Sequence, residues 1–175
     1  FLRHVLIRKG YYTGQIMVVL VTGTPVFPSC RSFINALLQR HPEITTIVQN
    51  INNKFTSLVL GEKNITLYGD GYIEDTIFDF NFRISPGSFY QVNPVMTTVL
   101  YGKAIEYMEL SGTETVIDAY CGTGTIGIIA SKYAGQVIGV ELNADAVHDA
   151  KFNAKKNNIK NVKFYTADAS DFMME

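Results

Sequence analysis

The pattern of hydrophobic and polar positions in the first half of the chain predicts a mixed sheet with one helix. Short β-branched and aromatic runs lie between turns rich in Gly, Pro and Asn, and one segment has apolar residues at helical spacing. The predicted strands are residues 5–8, 15–22, 44–49, 58–60, 65–68 and 72–80, and the predicted helix runs from a cap at Ser29 to about Arg40. We therefore expect a small α/β subdomain of mostly antiparallel strands over residues 1–82.

The second half alternates strands and helices. Predicted strands at 115–118, 136–140 and 162–166 are separated by helices at 125–133 and from a cap at Asn143 to about residue 157. A further helix is predicted to start at Asn93, with Pro94 at its first position. Consecutive βα units predict a doubly wound parallel sheet over residues 83–175, with a ligand at the edge where the strands end.

Composition and charge exclude some classes of protein. Of 175 residues, 47% are hydrophobic, which predicts a substantial core, and no apolar run reaches the roughly 18 residues of a membrane span. The formal net charge of −1 gives no support to nucleic-acid binding by this chain alone. The two cysteines, Cys30 and Cys121, lack metal-ligand spacing and are expected to stay reduced in the cytoplasm. Because the chain begins with Phe1, we expect it to be part of a longer protein.

A glycine loop follows the strand at 115–118. The strand ends in Asp118, the loop contains Gly122, Gly124 and Gly127, and an apolar helical segment comes next. Strand, glycine turn and helix start form a cradle for a nucleotide-like cofactor, because glycine allows close approach and the first N–H groups of the helix are unpaired. A glycine turn that only packs helix on strand is the alternative interpretation.

The acidic residues around this loop favour S-adenosylmethionine over NAD. Glu141, at the end of the next strand, suits a ribose that both cofactors have. Asp118 would repel a pyrophosphate but suits a sulfonium and an ammonium, and Tyr120 offers a ring face to the sulfonium. The loop lacks the Lys-Ser/Thr ending of a P-loop, which argues against ATP or GTP.

A second motif occupies residues 82–94, with the sequence Phe-Arg-Ile-Ser-Pro-Gly-Ser-Phe-Tyr-Gln-Val-Asn-Pro. Gln91 offers a donor and an acceptor, and Phe89 offers a flat face, so the segment is a candidate wall of a binding site. A domain linker explains its composition equally well.

The segment 82–94 precedes the glycine loop by about two dozen residues. This ordered pair of motifs resembles the RNA uracil-5 methyltransferase family. The resemblance implies a partial Rossmann-like S-adenosylmethionine-dependent methyltransferase sheet, preceded by a central α/β subdomain. It implies that Gln91, Tyr120 and Glu141 contact the cofactor and that Phe89 lies near the target base. Thr125 occupies a loop position where some members have Asn. Asp168, past the third strand, is expected either to accept from the adenine amino group, as in Rossmann-like methyltransferases, or to cap the next segment.

The activity implied by the resemblance is methylation of C5 of a uridine in tRNA or rRNA. In the family a cysteine thiolate adds to C6 of the base, and that cysteine and the catalytic base are expected beyond Glu175. Cys121 lies inside the cofactor loop and is not expected to be the nucleophile. We therefore expect no catalytic residue in this chain, no methylation by it alone, and RNA as a partner of the full-length protein.

Two alternatives remain open. A methyltransferase for a protein or a small molecule would share the glycine loop. A non-catalytic binding module of the same fold would bind no cofactor. The sequence does not set the oligomeric state.

Overall fold

The computed structural model describes residues 1–55 and 57–174. The chain divides into two compact units, Phe1–Asp75 with Ser85–Gly87, and Thr76–Ile84 with Ser88–Glu175. The predicted boundary between residues 82 and 83 lies within the strand Phe80–Ile84 of the second unit. In the described parts of the chain, no helix combines the length and the apolar character that a membrane span requires.

The first unit is built on a four-stranded sheet covered by one helix. Its elements are β1 (Leu2–Lys9), β2 (Ile16–Thr22), α1 (Cys30–Arg40), β3 (Ile44–Ile51) and β4 (Lys63–Tyr68). The strand order is β1-β2-β3-β4, and β2 and β3 are parallel because α1 connects them, while the outer pairs are antiparallel. The mostly antiparallel pairing expected from the sequence is therefore observed.

The core of this unit lies along the central strands. Val18 and Leu20 of β2 pack with Ile34 of α1 and Ile47 of β3. The intervening residues of β2 are also buried, so this strand is covered on both faces. A strand covered on both faces is expected to be almost continuously apolar, as the β2 sequence is.

Two local predictions for the first half are wrong, and a third, the cap at Ser29, is confirmed in position but not in its hydrogen bond. Residues 58–60 form no strand, because the carbonyls of Leu58 and Val59 accept hydrogen bonds from the Asn52 side chain at 2.8 and 3.1 Å. The single strand predicted at 72–80 is two paired strands, β5 (Ile73–Ile77) and β6 (Phe80–Ile84), joined at a left-handed Phe78. Ser29 precedes α1, but its side chain makes no capping hydrogen bond.

The second unit continues with alternating helices and strands. They are α2 (Pro94–Tyr107), β7 (Thr115–Ala119), α3 (Thr125–Ala130), β8 (Gln136–Glu141), α4 (Ala144–Lys156), β9 (Val162–Thr166) and α5 (Ala169–Met174). Strands β7, β8 and β9 are adjacent and parallel, so the loops after all three leave from one edge of the sheet. Helix α3 ends three residues earlier than the sequence predicts, and a turn follows it.

Asparagine side chains cap two helices of this unit as predicted. Asn93 accepts from the Met96 N–H at 3.1 Å, with Pro94 at the first position of α2. Asn143 accepts from the N–H groups of Asp145 and Ala146 at 2.9 and 3.3 Å at the start of α4. Both caps satisfy N–H groups that lack partners inside the helix.

A buried carboxylate stabilises the turn between β1 and β2. Asp75 Oδ2 accepts from the Tyr11 N–H at 2.9 Å, and Asp75 Oδ1 accepts from the N–H groups of Tyr12 and Thr13 at 2.9 and 3.3 Å. We predict that Asp75→Ala lowers the free energy of unfolding by about 2–4 kcal/mol, because three backbone N–H groups of the turn lose a charged acceptor that is itself buried. Urea unfolding measures this loss. The exposed Asp70→Ala is the control, and equal stability of the two variants would contradict the prediction.

Candidate functional site

The loop between β7 and α3 turns sharply because alternate residues adopt left-handed backbone conformations. These are Tyr120 (φ 63°), Gly122 (φ 54°) and Gly124 (φ 78°). The Cys121 N–H donates to the Val140 carbonyl of β8 at 2.9 Å, and the Gly124 N–H donates to the Cys121 carbonyl at 2.9 Å. These bonds fix the loop to the end of β8.

The glycines of the loop have different surroundings. A Cβ atom on Gly122 would meet nothing within 4 Å. A Cβ atom on Gly124 would lie 2.6 Å from Cζ of Phe164 and 3.0 Å from Cβ of Ala150. Gly124 therefore allows the loop to pack on the core, whereas Gly122 leaves open space in which a ligand can approach the backbone.

Asp118 joins the end of β7 to the start of α3. Its Oδ2 accepts from the Gly127 N–H at 3.0 Å, and a Cβ atom on Gly127 would lie 2.9 Å from the same oxygen. Burial raises the pKa of Asp118 to about 6, the hydrogen bond from Gly127 opposes this shift, and the charge of Glu141 adds to it. One of the helix N–H groups expected to face a ligand is therefore already bound to a carboxylate.

Glu141 spans the gap between the glycine loop and the start of α4. Its Oε2 accepts from the Gly122 N–H at 3.1 Å, and its Oε1 accepts from the Asn143 N–H at 2.8 Å. A carboxylate has about four lone-pair sites, so each oxygen retains one for another donor. The geometry is therefore compatible with the predicted acceptance of ribose hydroxyls.

Tyr101, a residue that the sequence analysis missed, links Gln91 to the glycine-loop motif. Burial raises the pKa of Tyr101 on α2, a hydrogen bond with Gln91 opposes this shift, and the charge of Asp118 adds to it. The Tyr101 side chain therefore lies near both Gln91 and Asp118, and it brings a residue of each motif together.

The remaining predicted residues differ in exposure and bonding. The aromatic residues Phe89 and Tyr120 are 73% and 69% exposed, so their rings are available to a ligand. The Thr125 hydroxyl lies 3.3 Å from the Thr123 hydroxyl inside the loop. Asp168 caps α5, since its Oδ1 accepts from the Ser170 N–H at 2.8 Å and from the Asp171 N–H at 3.3 Å. The cap is one of its two expected roles, and the contact with adenine stays a prediction.

Cys121 has the surroundings of a core residue. It is buried and packs with Ile128 and Phe164 in the hydrophobic core of the second unit. Burial raises the pKa of its thiol to about 12, and the charges of Asp118 and Glu141 add to the shift. The reactive form of cysteine is the thiolate, so this environment is unsuitable for a nucleophile.

The sequence analysis also missed a polar row on α4. Asp149 and Asn153 are buried on α4, and the half-buried C-cap residue Asn157 continues the row at the same four-residue spacing. The other buried residues of the helix are Ala146, Val147, Ala150 and Ala154. Polar residues repeated at helical spacing within an apolar face were the available signal. Their partners are backbone and side-chain groups far away in sequence, which the spacing alone does not reveal.

Part of the second unit is similar to a known family of proteins. The family described as a methyltransferase domain matches residues 110–175. These residues contain the glycine loop, both carboxylates that surround it, and the three parallel strands.

The whole chain is similar to part of several RNA methyltransferases. It is 48% identical over 172 residues to an uncharacterized RNA methyltransferase of Enterococcus faecalis, covering 98% of this chain and 38% of the relative. It is 50% identical over 163 residues to another of Clostridium acetobutylicum, covering 93% and 35% respectively. The chain thus spans little more than a third of these curated relatives, and the predicted resemblance to RNA methyltransferases is confirmed.

A solved structure matches both units of the chain. It is the tRNA (uracil-54, C5)-methyltransferase of Pyrococcus abyssi in complex with S-adenosyl-L-homocysteine, with a TM-score of 0.77 and 28% identity over 95% of this chain and 39% of that chain. This similarity confirms the α/β fold with a Rossmann-like methyltransferase sheet.

The different surroundings of the two loop glycines predict different losses on substitution. Gly122→Ala should lower the free energy of unfolding by about 1–2 kcal/mol. The only cost is the left-handed conformation of alanine, because its Cβ atom would meet no other atom within 4 Å. Gly124→Ala should cost about 3 kcal/mol or more, because its Cβ atom also overlaps Phe164. Urea unfolding of the two variants gives the comparison, and equal losses would contradict the assignment of Gly124 to core packing.

The raised pKa of Asp118 predicts a pH dependence of stability. Since the pKa in the folded protein, about 6, exceeds the ordinary value of 3.8, the folded state holds the proton more tightly than the unfolded chain. The contribution of the Asp118 proton to the free energy of unfolding is complete below about pH 4 and is lost as the pH rises to about 6. The total loss is about 2–3 kcal/mol. Asp118→Asn should remove that loss, measured as urea unfolding at pH 4.5 and pH 7. The exposed Asp145→Asn is the control, and an unchanged pH dependence in Asp118→Asn would refute the assignment.

Proposed function

We propose that this chain is the S-adenosylmethionine-binding part of an RNA methyltransferase that methylates C5 of a uridine in tRNA or rRNA. The observation that carries the proposal is the pair of carboxylates, Asp118 and Glu141, on either side of an open glycine at the carboxyl edge of the sheet. The similarity to the uracil C5 methyltransferase of Pyrococcus abyssi, over nearly the whole chain, supports the choice of base.

The electrostatics of the loop favour a cationic ligand. With a pKa of about 6, Asp118 is mostly ionised at neutral pH, and its pKa is raised in part by the nearby charge of Glu141. The two neighbouring carboxylates would repel the pyrophosphate of NAD, whereas they would attract the sulfonium and ammonium of S-adenosylmethionine. The cofactor supplies a methyl group on a positively charged sulfur.

Each candidate cofactor residue has a defined task in this proposal. Glu141 accepts from the ribose hydroxyls through its remaining lone pairs, and Gly122 allows the ligand to approach the loop backbone. Gln91, held near Tyr101, and the exposed ring of Tyr120 contact the methionine part. The loop residues Gly124 and Thr125 maintain its shape, and Asp168 accepts from the adenine amino group.

The substrate side of the proposal depends on Phe89. Its exposed ring in the second motif is a platform on which a flipped base can stack. The buried thiol of Cys121 is unsuitable for addition to C6 of uracil. Because the chain spans little more than a third of its curated relatives, we assign the nucleophilic cysteine to the remaining length, and we propose that this chain alone does not methylate RNA. We also propose a cytoplasmic location, in which the thiols of Cys30 and Cys121 would stay reduced.

Calorimetric titration with S-adenosyl-L-homocysteine tests the cofactor. We expect Glu141→Ala to weaken binding by about 10–100-fold, because charged hydrogen bonds of roughly 1.5–3 kcal/mol are lost. Glu114→Ala is a matched control, since Glu114 also accepts from loop N–H groups (those of Ser111, Gly112 and Thr113) but lies at the start of β7, away from the ligand edge.

The identity of the cofactor and the identity of the methylated base are tested separately. NAD should not bind, and NAD binding in place of S-adenosylhomocysteine would refute the methyltransferase assignment of the loop. The full-length protein should convert unmodified RNA to RNA containing 5-methyluridine, detected by mass spectrometry of its nucleosides. Methylation of another base, or of a protein or small molecule, would refute the substrate while leaving the cofactor assignment intact.

A further inference from the structure

Polar side chains of α4 and of its C-cap residue Asn157 take the place of a neighbouring strand for β6. Asn157 Oδ1 accepts from the Asn81 N–H at 2.9 Å, and Asn157 Nδ2 donates to the Asn81 carbonyl at 2.7 Å. One helical turn earlier, Asn153 Oδ1 accepts from the Arg83 N–H at 2.7 Å. Asn81 and Arg83 are alternate residues of β6, so their backbone groups point to the same edge of the strand. The amides of Asn153 and Asn157, four residues apart, therefore bind one edge of β6.

The third member of the row, Asp149, binds the segment that follows β6. Its Oδ2 accepts from the Ser88 hydroxyl at 2.7 Å, and its Oδ1 lies 3.3 Å from Nε of Arg83. The Arg83 guanidinium also lies 5.0 Å from the ring centre of Phe152 on α4. Ser88 immediately precedes Phe89, so α4 fixes the start of the segment that carries both Phe89 and Gln91.

Asn153 also binds the glycine loop. Its Nδ2 donates to the Thr123 carbonyl at 3.1 Å, in the glycine loop between Gly122 and Gly124. The side chain is fully buried, with 0% exposure. One amide therefore binds the glycine loop with its nitrogen and the strand leading to the second motif with its oxygen.

We propose that Asn153 is a positioning residue that fixes the glycine loop relative to the segment carrying Phe89 and Gln91. The inference rests on the proposed function, in which Gln91 and Gly122 contact the same cofactor. A ligand held by two segments loses affinity when one of them shifts by a fraction of an ångström, so the group that joins the segments affects binding without touching the ligand.

Asn153→Asp is the informative substitution. It keeps the size of the side chain and the acceptor for the Arg83 N–H, but it replaces the donor by an oxygen that faces the Thr123 carbonyl. We expect the full-length protein carrying this change to bind S-adenosyl-L-homocysteine about tenfold more weakly, as expected when one buried hydrogen bond is lost. Asn157→Ala is the matched control, because it removes the contacts with Asn81 of β6 and with the Asn153 carbonyl but none with the glycine loop.

A double-substitution cycle separates positioning from loss of stability. Gln91→Ala should weaken S-adenosyl-L-homocysteine binding strongly in the wild type and only slightly in Asn153→Asp, because Gln91 is already displaced there. In the Asn157→Ala background, Gln91→Ala should keep its full effect. Equal dissociation constants for Asn153→Asp and Asn157→Ala at a similar loss of Tm, or additive effects with Gln91→Ala, would overturn the proposal.

Amide hydrogen exchange tests the same coupling without a ligand. In Asn153→Asp the Gly124 N–H should exchange faster than in the wild type while the Arg83 N–H, whose acceptor is kept, stays protected. In Asn157→Ala the Asn81 N–H should exchange faster and the Gly124 N–H should not change. Unchanged exchange at Gly124 would overturn the positioning role. If the wild type fails to bind S-adenosyl-L-homocysteine, the proposed function fails, and the exchange result still decides whether Asn153 joins the two segments.

Discussion

The packing of Phe164 is the constraint on which the sheet and the glycine loop both depend. Its ring occupies the space where side chains on Gly124 and Gly139 would lie, at 2.6 Å and 2.3 Å from their hypothetical Cβ atoms. It also packs with Cys121 and Ala150 in the core of the second unit. One aromatic residue of β9 thus requires small residues on β8, in the loop and on α4. The glycine pattern of the loop is therefore partly a packing requirement, as the simpler interpretation of the sequence suggested, and Gly122 is the position that this requirement does not explain.

The electrostatics of the site follow from the same close packing. Asp118 is buried against α3 and is stabilised by the Gly127 N–H, while Glu141 is held by the N–H groups of Gly122 and Asn143. Backbone donors reduce the cost of confining these carboxylates without neutralising them, and the pKa of Asp118 stays raised as a result. A cation that binds beside them relieves part of this cost. The preference for a positively charged cofactor is thus a consequence of the fold, and it does not depend on a single contact.

Local patterns in the sequence were sufficient to predict much of the second unit. The strands and α4 lie close to their predicted positions, and the Asn93 and Asn143 caps are those predicted, because capping and helical periodicity depend on neighbouring residues. Features that depend on distant residues were not predictable. Residues 58–60 have strand-like composition, yet the Asn52 side chain binds their carbonyls. Likewise, Asn153 belongs to no motif, and its importance depends on Thr123, thirty residues earlier in the chain.

The second motif separates into residues that build the structure and residues that face outward. Ser88 binds Asp149, Asn93 caps α2, and Gln91 is held near Tyr101. Phe89, in contrast, is 73% exposed, so its ring is open to a ligand. Stacking on an aromatic ring is tolerant of base identity, because every base has a π-face. Within the proposed function, Phe89 therefore holds a base but does not select uracil, and that selection requires hydrogen-bonding groups placed at the edge of the base.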